Sequence, residues 1–226
     1  MNLLLIGYGK VGKRYFSILE KKKNVKVIIL RKKFISKKFI NRIPNLKKIS
    51  AAIICSPLDT HDYYSKKLID NKIPFIIEKP ISNNISHINF LKKESQKNKI
   101  TVLVNYSDLF DPKLIKLISY VKKKINKLEK IKLNYGNNNN QYIYKNTISP
   151  LQDWLPHPIS VITYLFNNIK NFKILSYKKK IDKNKNIYEK LLVNFYVKKV
   201  LIILNFSNFN FNKKKNINFV LKDTEI

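Results

Sequence analysis

The 226-residue chain has one cysteine, Cys55, and three histidines, His61, His87 and His157. A lone thiol excludes an internal disulfide, and so few Cys and His leave no cluster with metal-ligand spacing, so no metal site is expected. Long apolar runs are also missing. The longest, around Val200 to Leu204, falls far short of the ~18 residues a membrane helix needs. The apolar stretch Leu3 to Ile6 is too brief for a secretory leader and runs into Gly7, so a cytosolic protein that does not span a membrane is expected. Acids are scarce, 14 Asp plus Glu against 46 Lys plus Arg, and there are only four glycines.

The resulting charge of +32 invites a nucleic-acid partner, because clustered cations release counterions from a phosphate backbone. Yet only Arg14, Arg31 and Arg42 are arginines, while Lys, Asn, Ile, Tyr and Phe are all abundant. These residues are written by A/T-rich codons, so genomic drift accounts for the bias without a partner. Base readout prefers the guanidinium fork, and the lysines are spread as a dispersed coat, the pattern of a solvated surface. A basic nucleic-acid-binding protein therefore stays the weaker alternative, supported by the lysine coat alone.

What is present is an alternation. A short apolar run over Asn2 to Ile6 ends at Gly7, Gly9 and Gly12, and Val11, Tyr15, Ile18 and Leu19 then recur at helical spacing. The pattern predicts a buried strand, a glycine turn and an amphipathic helix. Further apolar strands are expected at Val25 to Leu30, Ala51 to Cys55, Phe75 to Ile77 and Thr101 to Val104, with helices over Asp59 to Asn71 and Ser86 to Lys97. Such alternation indicates a parallel, doubly wound sheet. The second half differs. Pro112 to Ile125 and Ile159 to Phe166 look helical, the run Asn137 to Asn140 reads as a low-complexity loop, and Lys130 to Tyr135 precedes strands at Tyr188 to Val197, Val200 to Phe211 and Asn216 to Leu221. That predicts a meandering antiparallel sheet. The expected fold class is α/β, with a Rossmann domain over residues 1–106 and an α/β domain with a mostly antiparallel, open-faced sheet over 107–226.

Gly7-Tyr8-Gly9-Lys10-Val11-Gly12 stands where a dinucleotide turn belongs, after the first strand and opening the first helix. The first glycine permits the tight turn, the second lets a pyrophosphate approach the backbone, and the third lets helix and strand pack closely. Three of the four glycines occupy this motif in a composition that otherwise drives glycine out. The end of the second strand contacts the adenosine ribose in such folds, where an acid favours NAD and a base accommodates a 2′-phosphate. Here Arg31, Lys32 and Lys33 follow that strand with no acid. NADP is the expected cofactor, NAD the alternative, and a merely solvated basic turn the bland reading.

Glu78-Lys79-Pro80 closes the strand at Phe75 to Ile77, and Asp153 stands four residues before His157 in Asp153-Trp154-Leu155-Pro156-His157-Pro158. With the glycine turn and the segment from Ser56-Pro57 to His61, this resembles the Gfo/Idh/MocA family of NAD(P)-dependent oxidoreductases. The resemblance implies a Rossmann domain joined to an α/β domain whose open sheet mediates homo-oligomers, and oxidation or reduction of a sugar, nucleotide-sugar or polyol hydroxyl. Tyr8, Lys10, Val11, Ser56, Pro57, His61, Glu78, Lys79 and Pro80 would join the glycines around the cofactor. Lys79 would touch the reacting hydroxyl, Asp153 would hold substrate and base, and His157 would take the proton. A histidine suits that task because its unperturbed pKa lies near neutrality, and an ammonium can stabilise a developing alkoxide. Asn105, Tyr106 and Trp154 are candidate substrate-lining residues. The bland readings are a turn histidine, a helix cap at Asp153 and a surface lysine.

The chain departs from the family pattern in three places. Leu155 and Ser160 stand where members often have Gly and a second Asp, and Ser107, Asp108 and Leu109 occupy the neighbourhood of an arginine common after the strand at Thr101 to Val104. Against the family pattern the end at Ile226 comes earlier than in most members, so a shortened second domain is expected. These departures leave open a nucleotide-binding family member that has lost catalysis and serves a regulatory or structural role.

Overall fold

The computed structural model describes residues 1–30, 45–136, 149–167, 169, 172–183, 186–209, 214–222 and 224–225. Contacts divide the chain into two compact units, Met1–Asn105 and Tyr106–Ile226.

In the first unit the chain runs through β1 (Asn2–Ile6), α1 (Lys10–Leu19), β2 (Lys26–Leu30), β3 (Ala51–Ile54), α2 (His61–Asp70), β4 (Phe75–Glu78), α3 (Ile85–Asn98) and β5 (Val102–Asn105). The strands form one parallel sheet in the order β2-β1-β3-β4-β5. Both faces are covered, which is why β1 is apolar at every position from Leu3 to Ile6 rather than alternating. Leu3, Leu5 and Ile53 pack with Tyr15, Phe16 and Leu19 of α1 on one face. Leu4, Ile6, Ile54 and Ile77 pack with Tyr64 and Leu68 of α2 and Leu91 of α3 on the other. Ile18, which the helical spacing placed on the buried stripe, is instead 59% exposed. Asn84 starts α3 by accepting hydrogen bonds from the Ser86 and His87 amides, at 2.9 and 3.3 Å.

The second unit contains α4 (Pro112–Lys123), β6 (Leu128–Gly136), α5 (Pro150–Trp154), α6 (Pro156–Phe166), β7 (Lys173–Ile181), β8 (Ile187–Val197), β9 (Val200–Ser207), β10 (Lys214–Leu221) and β11 (Thr224–Glu225). Its sheet order is β11-β10-β6-β9-β8-β7. It is not a simple meander: β6 lies between β10 and β9 and runs parallel to β9, while its other pairings are antiparallel. Burial alternates along β8 and β9, because only one face is packed. There Ile131, Leu133, Phe195, Ile202 and Phe219 meet Val121 of α4 and Ile162 of α6. Asp111 caps α4 and Ser149 forms a capping box with Gln152 on α5; each helix has Pro in its first turn, where no backbone donor is lost.

Candidate functional site

In the first unit the chemistry gathers at the carboxyl ends of β1, β3 and β4. Strand β1 pairs with both β2 and β3, so the sheet changes its direction of growth beside it, the place where open α/β sheets hold ligands. Gly7 leaves β1 with φ +96°, and a Cβ there would lie 2.6 Å from the Ser56 amide nitrogen and 2.7 Å from the Cys55 carbonyl. A side chain is barred by both strain and space. Gly12 is barred by space alone, since its Cβ would collide with the Gly7 carbonyl. Gly9 differs: nothing lies within 4 Å of the position a Cβ would take. It is the N-cap of α1, with extended backbone and no side-chain capping bond, and the first turn holds no acid.

Open space over Gly9, uncapped amides and Lys10 in the first turn together fit a dinucleotide's pyrophosphate. Arg31 and Lys32, read as the ribose-end contacts, lie outside the described residues.

The turns after β3 and β4 are braced together. His61 is buried at the start of α2, its Nε2 3.0 Å from the Ser56 carbonyl oxygen and its Nδ1 3.1 Å from that of Pro80. Ser56 and Thr60 share a hydroxyl hydrogen bond of 2.6 Å, and Lys79-Pro80 is a cis peptide. Glu78 turns its carboxylate toward α1 and β5, where the Tyr15 hydroxyl and the Asn105 amide donate to Oε1 at 3.1 and 2.7 Å. Burial first, then Glu78, raises the Tyr15 hydroxyl and pushes the Cys55 thiol up to about 12. Cys55 donates to the Gly7 carbonyl at 3.1 Å, a packing role.

In the second unit His157 sits in the first turn of α6, directly after Pro156, with the ring of Trp154 6.1 Å away. The Ser160 hydroxyl bonds back to the His157 carbonyl at 2.7 Å. Asp153 lies on α5, whose start is held by the buried Glu189: the Leu151 amide and the Tyr177 hydroxyl donate to its two oxygens at 3.0 and 2.8 Å. The cap of this helix is Ser149 rather than Asp153.

Sequence reasoning missed Asp108, apart from noting it near an absent arginine. Its Oδ2 lies 3.0 Å from Nδ1 of His157 and 2.5 Å from Nζ of Lys215 on β10. Burial alone would raise the Asp108 carboxyl, but the close contacts and charge of His157 and Lys215 outweigh it and hold the group at about 2. Tyr135 of β6, level with Lys215 in the ladder, is buried close by, and burial first, then Asp108, raises its hydroxyl. Lys215 also borders an open depression of about 310 Å³ with Asp111, Lys113, Leu117 and Ile217, and its side chain is 41% exposed. The scarcity of acids was the one available signal.

Thus Gly7 to Gly12, Ser56, Pro57, His61, Glu78, Lys79 and Pro80 follow the carboxyl ends of the first sheet's inner strands, and Asn105 joins them through Glu78. Asp153, Trp154 and His157 belong to the second unit, as does Tyr106. Among the described residues no group of acids, Cys and His could hold a metal, and no helix is long and apolar enough to cross a membrane.

Residues 1–106 match the family described as an oxidoreductase family with an NAD-binding Rossmann fold, Gfo/Idh/MocA. No curated protein matches the chain in sequence. Among solved structures it is similar to a protein assigned as a myo-inositol dehydrogenase from Sinorhizobium meliloti 1021 (15% identity, 100% of this chain and 75% of that chain, TM-score 0.80). It is also similar to a Gfo/Idh/MocA family oxidoreductase from Vibrio cholerae (12% identity, 100% and 75%, TM-score 0.76). A third is GenD2 from gentamicin A biosynthesis, in complex with NAD (10% identity, 100% and 71%, TM-score 0.79). At these identities the structural likeness is one of fold. The Rossmann unit, residues 1–106, is thus that of the Gfo/Idh/MocA family of NAD-binding oxidoreductases.

Proposed function

We propose that this protein transfers hydride between a nicotinamide nucleotide and a CH–OH carbon of a sugar, nucleotide sugar or polyol. The observation that carries the reading is the open cradle over Gly9 at the uncapped start of α1, where main-chain amides and Lys10 favour a diphosphate. When bound, the nicotinamide accepts or supplies the hydride. In the oxidative direction the hydroxyl proton leaves as the C–H bond is given up and the carbonyl forms. His157 takes that proton, Lys79 stabilises the developing alkoxide, and Asp153 holds substrate and base, with Trp154 and Tyr106 as lining groups. NADP is the preferred form, supported by Arg31 and Lys32 and the lack of an acid beside them. The neighbour assigned as a myo-inositol dehydrogenase supports a polyol-like substrate. We place the protein in the cytosol, where an unpaired cysteine such as Cys55 stays reduced. We place self-association on the second unit's sheet, whose edge strand β7 is exposed throughout.

Fluorescence titration with NADPH and NADH, followed by a polyol and sugar screen read at the nicotinamide absorbance, tests this. Binding of NADPH with turnover of at least one such substrate is expected; absence of nucleotide binding would remove the reading. A second reading, nucleotide binding without turnover, is favoured by Ser160, whose hydroxyl is spent on the His157 carbonyl where members often carry an Asp. Tight binding with no turnover would select it.

A further inference from the structure

We infer that Asp108 is the residue that fixes His157 for proton transfer: its charge beside Nδ1 keeps the ring proton on that nitrogen and leaves the Nε2 lone pair as the base, with Lys215 holding the carboxylate in place. This rests on the reading of His157 as the base, and adds a positioning residue that the family resemblance did not supply.

A neutral imidazole carries one proton, and the acceptor beside one nitrogen decides which tautomer is present. Asp108 Oδ2 stands 3.0 Å from Nδ1, and both side chains are mostly buried, 15% exposed for His157 and 12% for Asp108. The two atoms meet at ion-pair distance without the alignment of a hydrogen bond, so what the carboxylate supplies to a proton on Nδ1 is charge at short range in a mostly buried setting. As His157 gains a proton at Nε2, the imidazolium forms against a carboxylate already in place, and no solvent reorganisation is needed.

Lys215 has the complementary task. Without it a half-buried carboxylate would drift toward protonation, and a neutral Asp108 could no longer favour a proton on Nδ1 by its charge. The lysine comes from β10, on the packed face of the sheet and level with Tyr135. Its partial exposure screens its effect on the histidine more than on the carboxylate it touches. The titratable groups facing Asp108 are His157 from α6, Lys215 from β10 and Tyr135 from β6. The arrangement also explains an acid near the absent family arginine: the cation is supplied instead by a distant strand.

The test uses the full chain labelled with ¹⁵N-histidine, so that three rings are seen, with His157 assigned by His157→Gln. In alkaline buffer the ring nitrogen shifts report the tautomer directly. The wild type is expected as Nδ1–H. Asp108→Asn and Asp108→Ala should move His157 to a mixed or Nε2–H population and slow single-turnover hydride transfer by ~10²-fold or more, the scale of losing a correctly held base. NADPH affinity, read on the first unit, should be unchanged. Asp108→Glu should restore part of the Nδ1–H population and of the rate. Lys215→Met should keep Nδ1–H while the Asp108 carboxyl, followed by ¹³C, titrates at higher pH. Persistence of Nδ1–H in both folded Asp108→Asn and Asp108→Ala overturns the inference, as does a tautomer switch that leaves the rate unchanged in a protein where His157→Gln is slow. Wild-type hydride transfer in His157→Gln is a different failure, that of the base assignment. In that case the ring spectra still report whether Asp108 sets the tautomer.

Discussion

The two units build their candidate sites from different materials. In the first, the central strands β1 and β3 of a five-stranded parallel sheet are buried on both faces, and the site is main chain: a positive-φ glycine, an open glycine and the amides of an uncapped helix. In the second, a mostly antiparallel sheet packs on one face, and the site is a set of side-chain charges brought from a turn after β5, the start of α6 and the strand β10. A main-chain site is dictated by topology and is announced by a few glycines in a row. A side-chain site is dictated by register between strands far apart in the chain. The first should therefore fail through space and the second through charge.

The largest effects should come from the glycine turn, and they should split. Gly7→Ala places a Cβ 2.6 Å from a backbone nitrogen at a φ of +96°, and Gly12→Ala drives one into the Gly7 carbonyl. Each should destabilise the protein by ~3 kcal/mol or more in urea denaturation, the range of strain and overpacking at a rigid site. Gly9→Val meets nothing within 4 Å and has extended backbone, so stability should change by less than ~1 kcal/mol while NADPH binding disappears. Unchanged NADPH affinity in folded Gly9→Val would break the contrast.

The next effect is chemical. His157→Ala should slow single-turnover hydride transfer by ~10²-fold or more, with NADPH still bound. Lys79→Ala should also be slow, and the double variant should be less than additive if both serve one proton-coupled step. Wild-type rates in His157→Ala would take the histidine out of the mechanism.

Where the sequence was legible follows from the same contrast. β1, the glycine turn and the strands at Ala51 and Phe75 were visible because a doubly covered strand needs an unbroken apolar run; the edge strand at Val102 is apolar as well, although Leu103 is 54% exposed. The helix that carries His157 is expected from Ile159 but begins at Pro156, because proline's missing N–H costs nothing in the first turn. β7, Lys-rich and exposed along its length, has no alternation to reveal it. The parallel β6–β9 pairing is a matter of connection, which local pattern does not encode. Asp108 could not be joined to His157 and Lys215 without the fold.

Acid should then separate the units. The Asp108 carboxyl lies at about 2 against an ordinary 3.8, so it is depressed in the folded state. Its contribution is present above about pH 4 and is lost as pH falls toward 2, amounting to about 2 kcal/mol by linkage. Lys215→Met should raise the carboxyl and flatten this part of the acid-unfolding curve. An unaltered curve would place the charge balance of the second unit elsewhere.

The smallest effect sharpens the comparison from the other side, because the first unit has a side-chain network as well. The Tyr15 hydroxyl and the Asn105 amide both donate to Oε1 of Glu78, tying α1 and β5 to the strand that ends in Lys79-Pro80. If the first unit's site is main chain, this network supports it without forming it. Tyr15→Phe removes one donor and keeps the ring that packs with Phe16 and Leu19 against Leu3 and Leu5. Glu78 retains its bond from Asn105, so the loss should be that of one charge-assisted hydrogen bond, ~1 to 2 kcal/mol. The Cys55 thiol, raised to about 12 by burial and then by Glu78, should remain slow to alkylate at neutral pH, because burial is the larger cause and does not change. NADPH affinity should fall by less than about threefold, given that the amides over Gly9 are untouched. A large drop in affinity at unchanged stability would show that Glu78 acts on the cofactor itself, and that the first unit's site is side-chain work after all.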